Sequence, residues 1–130
     1  MSGTHFGFTK LLVVDLDKAA AFYRDVFGVR ETGRIKSEIA GRPIEEILFS
    51  PTGEGGATLV LLHYLDATEP SSSVVILGFL TPDADALIER ALAAGGAVVR
   101  EPTLHADIGV KVGFITDIEN HLIEVVQPVR

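Results

Sequence analysis

The residues of this chain that could do chemistry are four histidines, one glutamate inside an apolar run and two lysines on strand-like stretches. The histidines are His5, His63, His105 and His121. An imidazole titrates near neutrality, so it can carry a proton or hold a metal. His105 lies in the stretch 102–107, which reads as a loop, and is the histidine expected to reach a ligand. His5 sits in the N-terminal stretch, His63 ends a strand, and His121 reads as a turn residue. Glu124 stands in Leu122-Ile123-Glu124-Val125-Val126. A carboxylate among apolar neighbours has its charged form desolvated, which raises its pKa and suits general acid–base work. Alternation puts Leu122, Glu124 and Val126 on one strand face. Lys10 alternates with Phe8 and Leu12, and Lys111 falls on a later strand. Each is either a rim charge or a partner, Lys10 for Glu124 or for an anionic ligand. The chain holds no cysteine, which excludes a disulfide scaffold, a thiol nucleophile and a cysteine metal site. Gly53-Glu54-Gly55-Gly56 precedes a strand, so it lacks the helix N-terminus that a phosphate-binding loop needs.

The elements that must position these groups follow from periodicity. Residues 8–14 read as a strand. Leu16, Ala19, Ala20, Tyr23, Val26 and Phe27 recur at helical spacing behind Asp15, a capping residue, and Gly28 ends the helix. Strands follow at 30–35, 45–49 and 57–64, with a turn at 40–43 and a loop at 51–56. A polar linker leads to a second strand at 74–80. Pro82 and Asp83 open a second helix with Ala84, Leu87, Ile88, Ala91 and Leu92 on its apolar face, and Gly95-Gly96 closes it. Strands at 97–100, 110–115 and 122–126 complete the chain.

Length and charge bound the answer. The 130 residues, 47% hydrophobic and 22% charged, suit one domain. A net charge of −7 without a basic run argues against nucleic acid or an anionic membrane surface as partner. The apolar stretches are strand-sized, far short of the roughly 20 residues that span a bilayer. The first residues have no basic stretch followed by an apolar one, so a cytoplasmic location is expected.

The two halves superpose. A shift of 68 residues sets Asp15 on Asp83, Asp17 on Asp85 and Gly28 on Gly96. Strand, acidic cap, helix and glycine coincide, which describes a repeated strand–helix–three-strand unit. Module 1 spans about residues 5–66, a linker about 67–72, and module 2 about 73–130.

The stretch VVDLDKAAAFYRDVFGV resembles the opening signature of the vicinal oxygen chelate superfamily, and GFITDIENHLIEVVQP resembles its closing signature. That superfamily includes glyoxalase I, extradiol dioxygenases, methylmalonyl-CoA epimerase, fosfomycin-resistance enzymes and bleomycin-binding proteins. The resemblance runs from Phe8 to Pro128. It implies an α+β fold of two βαβββ modules, whose curved mixed sheets form a partly closed cup, and it implies a homodimer.

The resemblance also implies where a metal would be held. Metal-using relatives carry a histidine seven residues before the helix-capping aspartate, which is Phe8 here. The matching position of module 2 is Ile76, and the last strands supply Val60 and Glu124. Three of these four positions are apolar, and a transition metal needs several oxygen or nitrogen donors held together. The expectation is therefore a metal-independent member with no cofactor. It would act as a lyase or isomerase, moving a proton near a carbonyl with Glu124 as acid/base and Lys10 or His105 assisting. The alternative is a protein that sequesters an apolar or aromatic compound. Phe8, Phe49, Val60 and Ile76 are the expected lining, which equally suits a plain core, and Lys111 is a further ligand contact. Arg34, Glu45 and Glu46 are expected at the mouth, with at most one of the two glutamates facing in. A metal-dependent glyoxalase-like reaction fits less well.

Overall fold

Thr58–Tyr64 reads TLVLLHY, and Val60, Leu61 and Leu62 are all buried. A strand apolar on both faces belongs at the centre of a sheet. It pairs in parallel with Phe8–Leu12 on one side and antiparallel with Arg42–Phe49 on the other. In chain order the elements are β1 (Phe8–Leu12), α1 (Leu16–Phe27), β2 (Glu31–Ile39), β3 (Arg42–Phe49) and β4 (Thr58–Tyr64). Then come β5 (Leu77–Leu80), α2 (Ala84–Ala93), β6 (Ala97–His105), β7 (Val110–Thr116) and β8 (Leu122–Pro128). The computed structural model describes residues 8–39, 41–53, 56–70 and 75–129.

The strands form two four-stranded mixed sheets, ordered β1-β4-β3-β2 and β5-β8-β7-β6. This is the expected α+β pair of βαβββ modules. Each sheet is open, with two edge strands, so the strands are not closed into a barrel. The chain divides into two compact units, Met1–Ala20 with Gly28–Ser71 and Ala21–Phe27 with Ser72–Arg130. The second half of α1 thus belongs with module 2, a division no single cut in the sequence describes.

The repeat is visible in the register. Lys10 pairs with Val60 as Gly78 pairs with Glu124, and Leu12 pairs with Leu62 as Leu80 pairs with Val126. Both helices start on the expected aspartates. The Lys18 N–H donates to Asp15 Oδ1 at 3.1 Å, and the Ala86 N–H donates to Asp83 Oδ1 at 3.1 Å. These bonds satisfy amides that the first turn leaves free.

Several boundaries differ from the sequence expectation. β1 ends at Leu12, although the Val13 N–H still bonds the Leu62 carbonyl at 2.8 Å. β2 runs on to Ile39 and β3 starts at Arg42, because the antiparallel pair extends to Ile39–Arg42. β5 begins only at Leu77, leaving Ile76 before the strand and residue 74 outside the described residues. β6 continues to His105, which pairs with Val110, so 102–105 is strand and only 106–107 of the expected loop lie in the turn. Leu92, expected on the buried helix face, is 51% exposed. No helix is long and apolar enough to cross a membrane among the described residues.

Candidate functional site

In module 2, the rows of paired residues assign each side chain to a face. Phe79, Val125 and Gly113 share one row, and α2 covers it, since a Cβ on Gly113 would meet Ile88 Cδ1 at 3.3 Å. The next row is Gly78, Glu124, Phe114 and Arg100, and the one after it Leu80, Val126, Val112 and Thr103. Strand alternation turns these two rows to the opposite face, away from α2. Glu124 is half-buried there and has no hydrogen-bond or ion-pair partner among the described residues. Gly78 beside it leaves a gap, because a Cβ at that position would have nothing within 4 Å. Leu80 is 78% exposed.

His105 shares this face, through its pairing with Val110. It stands two strands and four residues away from Glu124, which is about 16 Å between backbones at ordinary strand spacings. Lys111 does not share it. Lys111 pairs with Gln127 on the α2 side, and its Nζ donates to Asp85 Oδ2 at 2.8 Å in the first turn of α2. It is committed to the helix and turned from Glu124.

In module 1, Lys10, Val60, Leu48 and Gly33 form one row, and Leu12, Leu62, Glu46 and Ile35 the next on the same face. Lys10 Nζ donates to Glu46 Oε2 at 3.0 Å. Lys10 therefore has Glu46 as its partner, where the sequence reading suggested Glu124. Glu45 points to the other face, as expected for neighbours on a strand. There Arg34 donates to Asp17 Oδ1 at 2.8 Å and lies 3.7 Å from Glu45. Phe8 shares the Lys10 face, is 56% exposed, and has the ammonium 5.6 Å from its ring centre. Phe49, expected beside Val60, follows Leu48 on β3 and so projects to the opposite face, where it is buried. It belongs to the core and not to that lining.

The metal positions implied by the resemblance do not fit an ion. Phe8, Val60 and Ile76 offer only carbon, and Glu124 is the single donor. No group of three or more His, Asp or Glu residues comes together among the described residues. His5, the other histidine near the first strand, lies outside the described residues.

The sequence reading missed a buried polar network. The Tyr23 hydroxyl donates to Asp117 Oδ2 at 2.8 Å, and His121 Nδ1 lies 2.7 Å from the same oxygen. Asp117 Oδ1 accepts the N–H groups of Glu119 and His121, both at 2.9 Å. Asp117 and His121 are 4% and 2% exposed and Tyr23 is fully buried, so these groups close the turn rather than meet a ligand. Asn120 has φ 70°, a left-handed conformation that asparagine tolerates. Burial works to raise the Asp117 carboxyl, but its bonds from His121 and Tyr23 outweigh this and hold it below the ordinary carboxylate range. Burial, then the Asp117 charge and hydrogen bond, push the Tyr23 phenol well above its usual value. The signal in the sequence was an Asp and a His four residues apart, with polar turn residues between them. His63 is likewise engaged, its Nδ1 lying 3.1 Å from the Val13 carbonyl.

Comparison with known proteins adds to this geometry. The model of the Glyoxalase/Bleomycin resistance protein/Dioxygenase superfamily matches residues 5–125. A glyoxalase family protein from Bacillus cereus superposes with a TM-score of 0.82 at 18% identity, covering 100% of this chain and 99% of that one. A glyoxalase/bleomycin resistance protein/dioxygenase family enzyme from Burkholderia phytofirmans gives 0.73 at 17% identity, over 96% of this chain and 99% of that one. Glyoxalase I from Zea mays gives 0.75 at 20% identity, over 93% of this chain but only 45% of that one. At these identities the likeness is one of fold. No curated protein sequence matches the chain.

Proposed function

Because the chain belongs to the glyoxalase/bleomycin resistance protein/dioxygenase superfamily, we propose that it is a metal-independent member that takes a small apolar or aromatic molecule on the Glu124 face of module 2. The observation that carries this reading is a carboxylate without a partner among the described residues, half-buried among Gly78, Phe114, Leu122 and Val126. Sites of this kind are mostly apolar, with a few placed polar groups that fix orientation. In the catalytic form of the proposal, Glu124 takes a proton from a carbon next to the ligand's carbonyl and returns it elsewhere, as in a lyase or isomerase.

A second reading is retention without turnover. It is supported by the isolation of Glu124: His105 is out of reach along the same face, and Lys10 is held by Glu46. No histidine, lysine or second carboxylate of module 2 pairs with Glu124 among the described residues, which a proton shuttle would need and a binding site does not.

Glu124→Gln tests the proposal. The carboxamide keeps the size and removes the proton-accepting charge, so turnover falls at least a hundredfold if Glu124 is the base. Unchanged turnover would sink the catalytic form and leave retention standing. Metal independence is tested separately. Added Zn²⁺, Ni²⁺ or Mn²⁺ should leave the melting temperature of the chelator-treated protein unmoved, since an ion binding only the native state raises it. A one-to-one shift would point to donors outside the described residues, His5 first. We also propose a homodimer and a cytoplasmic location; light scattering should give twice the chain mass.

A further inference from the structure

The geometry points to a ligand that carries a cationic amine on an aromatic or apolar body, with the amine seated at Glu124. This inference rests on the reading that a small molecule occupies this face, and it narrows the class of that molecule.

Three observations converge on it. First, the two modules treat their carboxylates differently. In module 1, Glu46 is neutralised by Lys10 at 3.0 Å. In module 2, Glu124 has no ion-pair partner among the described residues, and Val60 occupies the matching place in module 1. A half-buried carboxylate with no protein cation beside it can be neutralised by a cation that comes with the ligand, through a charge-assisted hydrogen bond. Second, Phe114 is the direct cross-strand neighbour of Glu124 on that face. Opposite residues on paired strands stand about 5 Å apart at Cβ, so one ammonium can meet the carboxylate while lying against the ring. Third, Gly78 on the other side of Glu124 has nothing within 4 Å of a built Cβ, which leaves room for the group to approach. Arg100 lies in the same row on the edge strand, with Phe114 between it and Glu124, and the two make no ion pair. The net charge of −7 favours approach of a cation from solution. A carboxylate occupied by an ammonium holds its ligand rather than deprotonating it at carbon, so this inference sides with retention.

The test uses three probes of one shape on the full chain: 2-phenylethylamine, 2-phenylethanol and phenylacetate. Affinities are read by titration calorimetry and by backbone amide shifts of β5, β7 and β8. The amine should bind at least tenfold more tightly than the alcohol, with phenylacetate weakest, and the gap should shrink as salt is raised. Glu124→Gln should abolish the preference while the alcohol still binds as in the native protein. Gly78→Val should weaken all three, and Arg100→Gln should leave the order unchanged. Equal binding of amine and alcohol, or a preference that survives in Glu124→Gln, would overturn the cationic ligand and leave the apolar site standing. No binding by any probe would remove both the inference and the reading beneath it.

Discussion

Module 1 keeps Glu46 at 8% exposure beside an ammonium, whereas module 2 leaves Glu124 half-buried beside a glycine, with no partner among the described residues. The two sheets have the same strand order, and the rows of β1, β4 and β3 overlay those of β5, β8 and β7, so at Glu124 the difference lies in side chains; only the outer strands differ in register, β6 having two shifts and β2 one. Elsewhere the contrast runs the other way. The connection between β7 and β8 is stitched by Asp117, His121 and Tyr23, all buried. In the matching connection of module 1, Pro51, Thr52 and Gly53 are exposed. Module 2 is thus tied down at its turn and, among the described residues, offers Glu124 no protein partner on its sheet face. That arrangement suits a site, where a polar group is kept without a partner on a rigid element. The fold tolerates both versions because the strands pair through their backbones, and the side chains of these rows take no part in that pairing.

The largest effect should come from the stitched turn. Asp117→Ala strips the acceptor from two buried side chains and two backbone amides, and should cost about 3–5 kcal/mol in urea unfolding. Pro51→Ala in module 1 should stay within about 0.5 kcal/mol, as exposed positions usually do. Equal costs would break the comparison. The same network predicts an acid limb. With the Asp117 pKa depressed in the folded state, its contribution is present above the unfolded carboxylate range near pH 4 and is lost as the pH falls through the folded value. Melting temperature measured from pH 6 down to 2 should therefore fall less steeply in Asp117→Asn than in the native chain. Tyr23 acts at the other end. Its raised pKa favours the neutral phenol, so its contribution is full below about pH 10 and declines above it.

The repeat-equivalent glycines give the next effect. A Cβ on Gly96 would lie 2.6 Å from the Thr116 carbonyl oxygen and 3.0 Å from Phe22. Gly96→Ala should cost about 2–3 kcal/mol through overpacking. Gly28 has φ 71° with nothing within 4 Å, so Gly28→Ala should cost about 1 kcal/mol from backbone strain alone. Thermal unfolding of the two variants separates a contact requirement from a conformational one.

The smallest effects sharpen the comparison of faces. Lys10→Met leaves Glu46 uncompensated and should cost about 1 kcal/mol, between exposed and buried pairs, since the lysine side chain is 32% exposed. Glu124→Gln removes no partner among the described residues and should change stability by less than about 0.5 kcal/mol. A larger loss would mean that Glu124 is structural, and the site proposal would lose its basis.

Much of the fold could be read from the chain. The capping aspartates, the glycines that end each helix and the apolar stripes gave both helices, because these are local requirements. The register of the repeat followed, and so did Glu124 as the lone carboxylate of its strand. Strand ends were less legible. β2, β3 and β6 run further than their own residues suggest, because pairing with a neighbour decides where a strand stops. His105 was displaced from an expected loop to a strand end for that reason.

The residues themselves determined that three of the four implied metal positions carry only carbon, since no packing can turn phenyl or alkyl groups into donors. They also determined that a carboxylate interrupts the apolar run of β8. Tertiary structure alone decided the partners. Lys10 meets Glu46 across 36 residues of chain, Lys111 turns to Asp85, Phe49 faces the core, and Asp117 collects Tyr23 from 94 residues away. Local sequence sets which face a residue takes within its own strand. The neighbour that fills the space opposite is set by strand order and helix placement, and those exist only once the chain has folded.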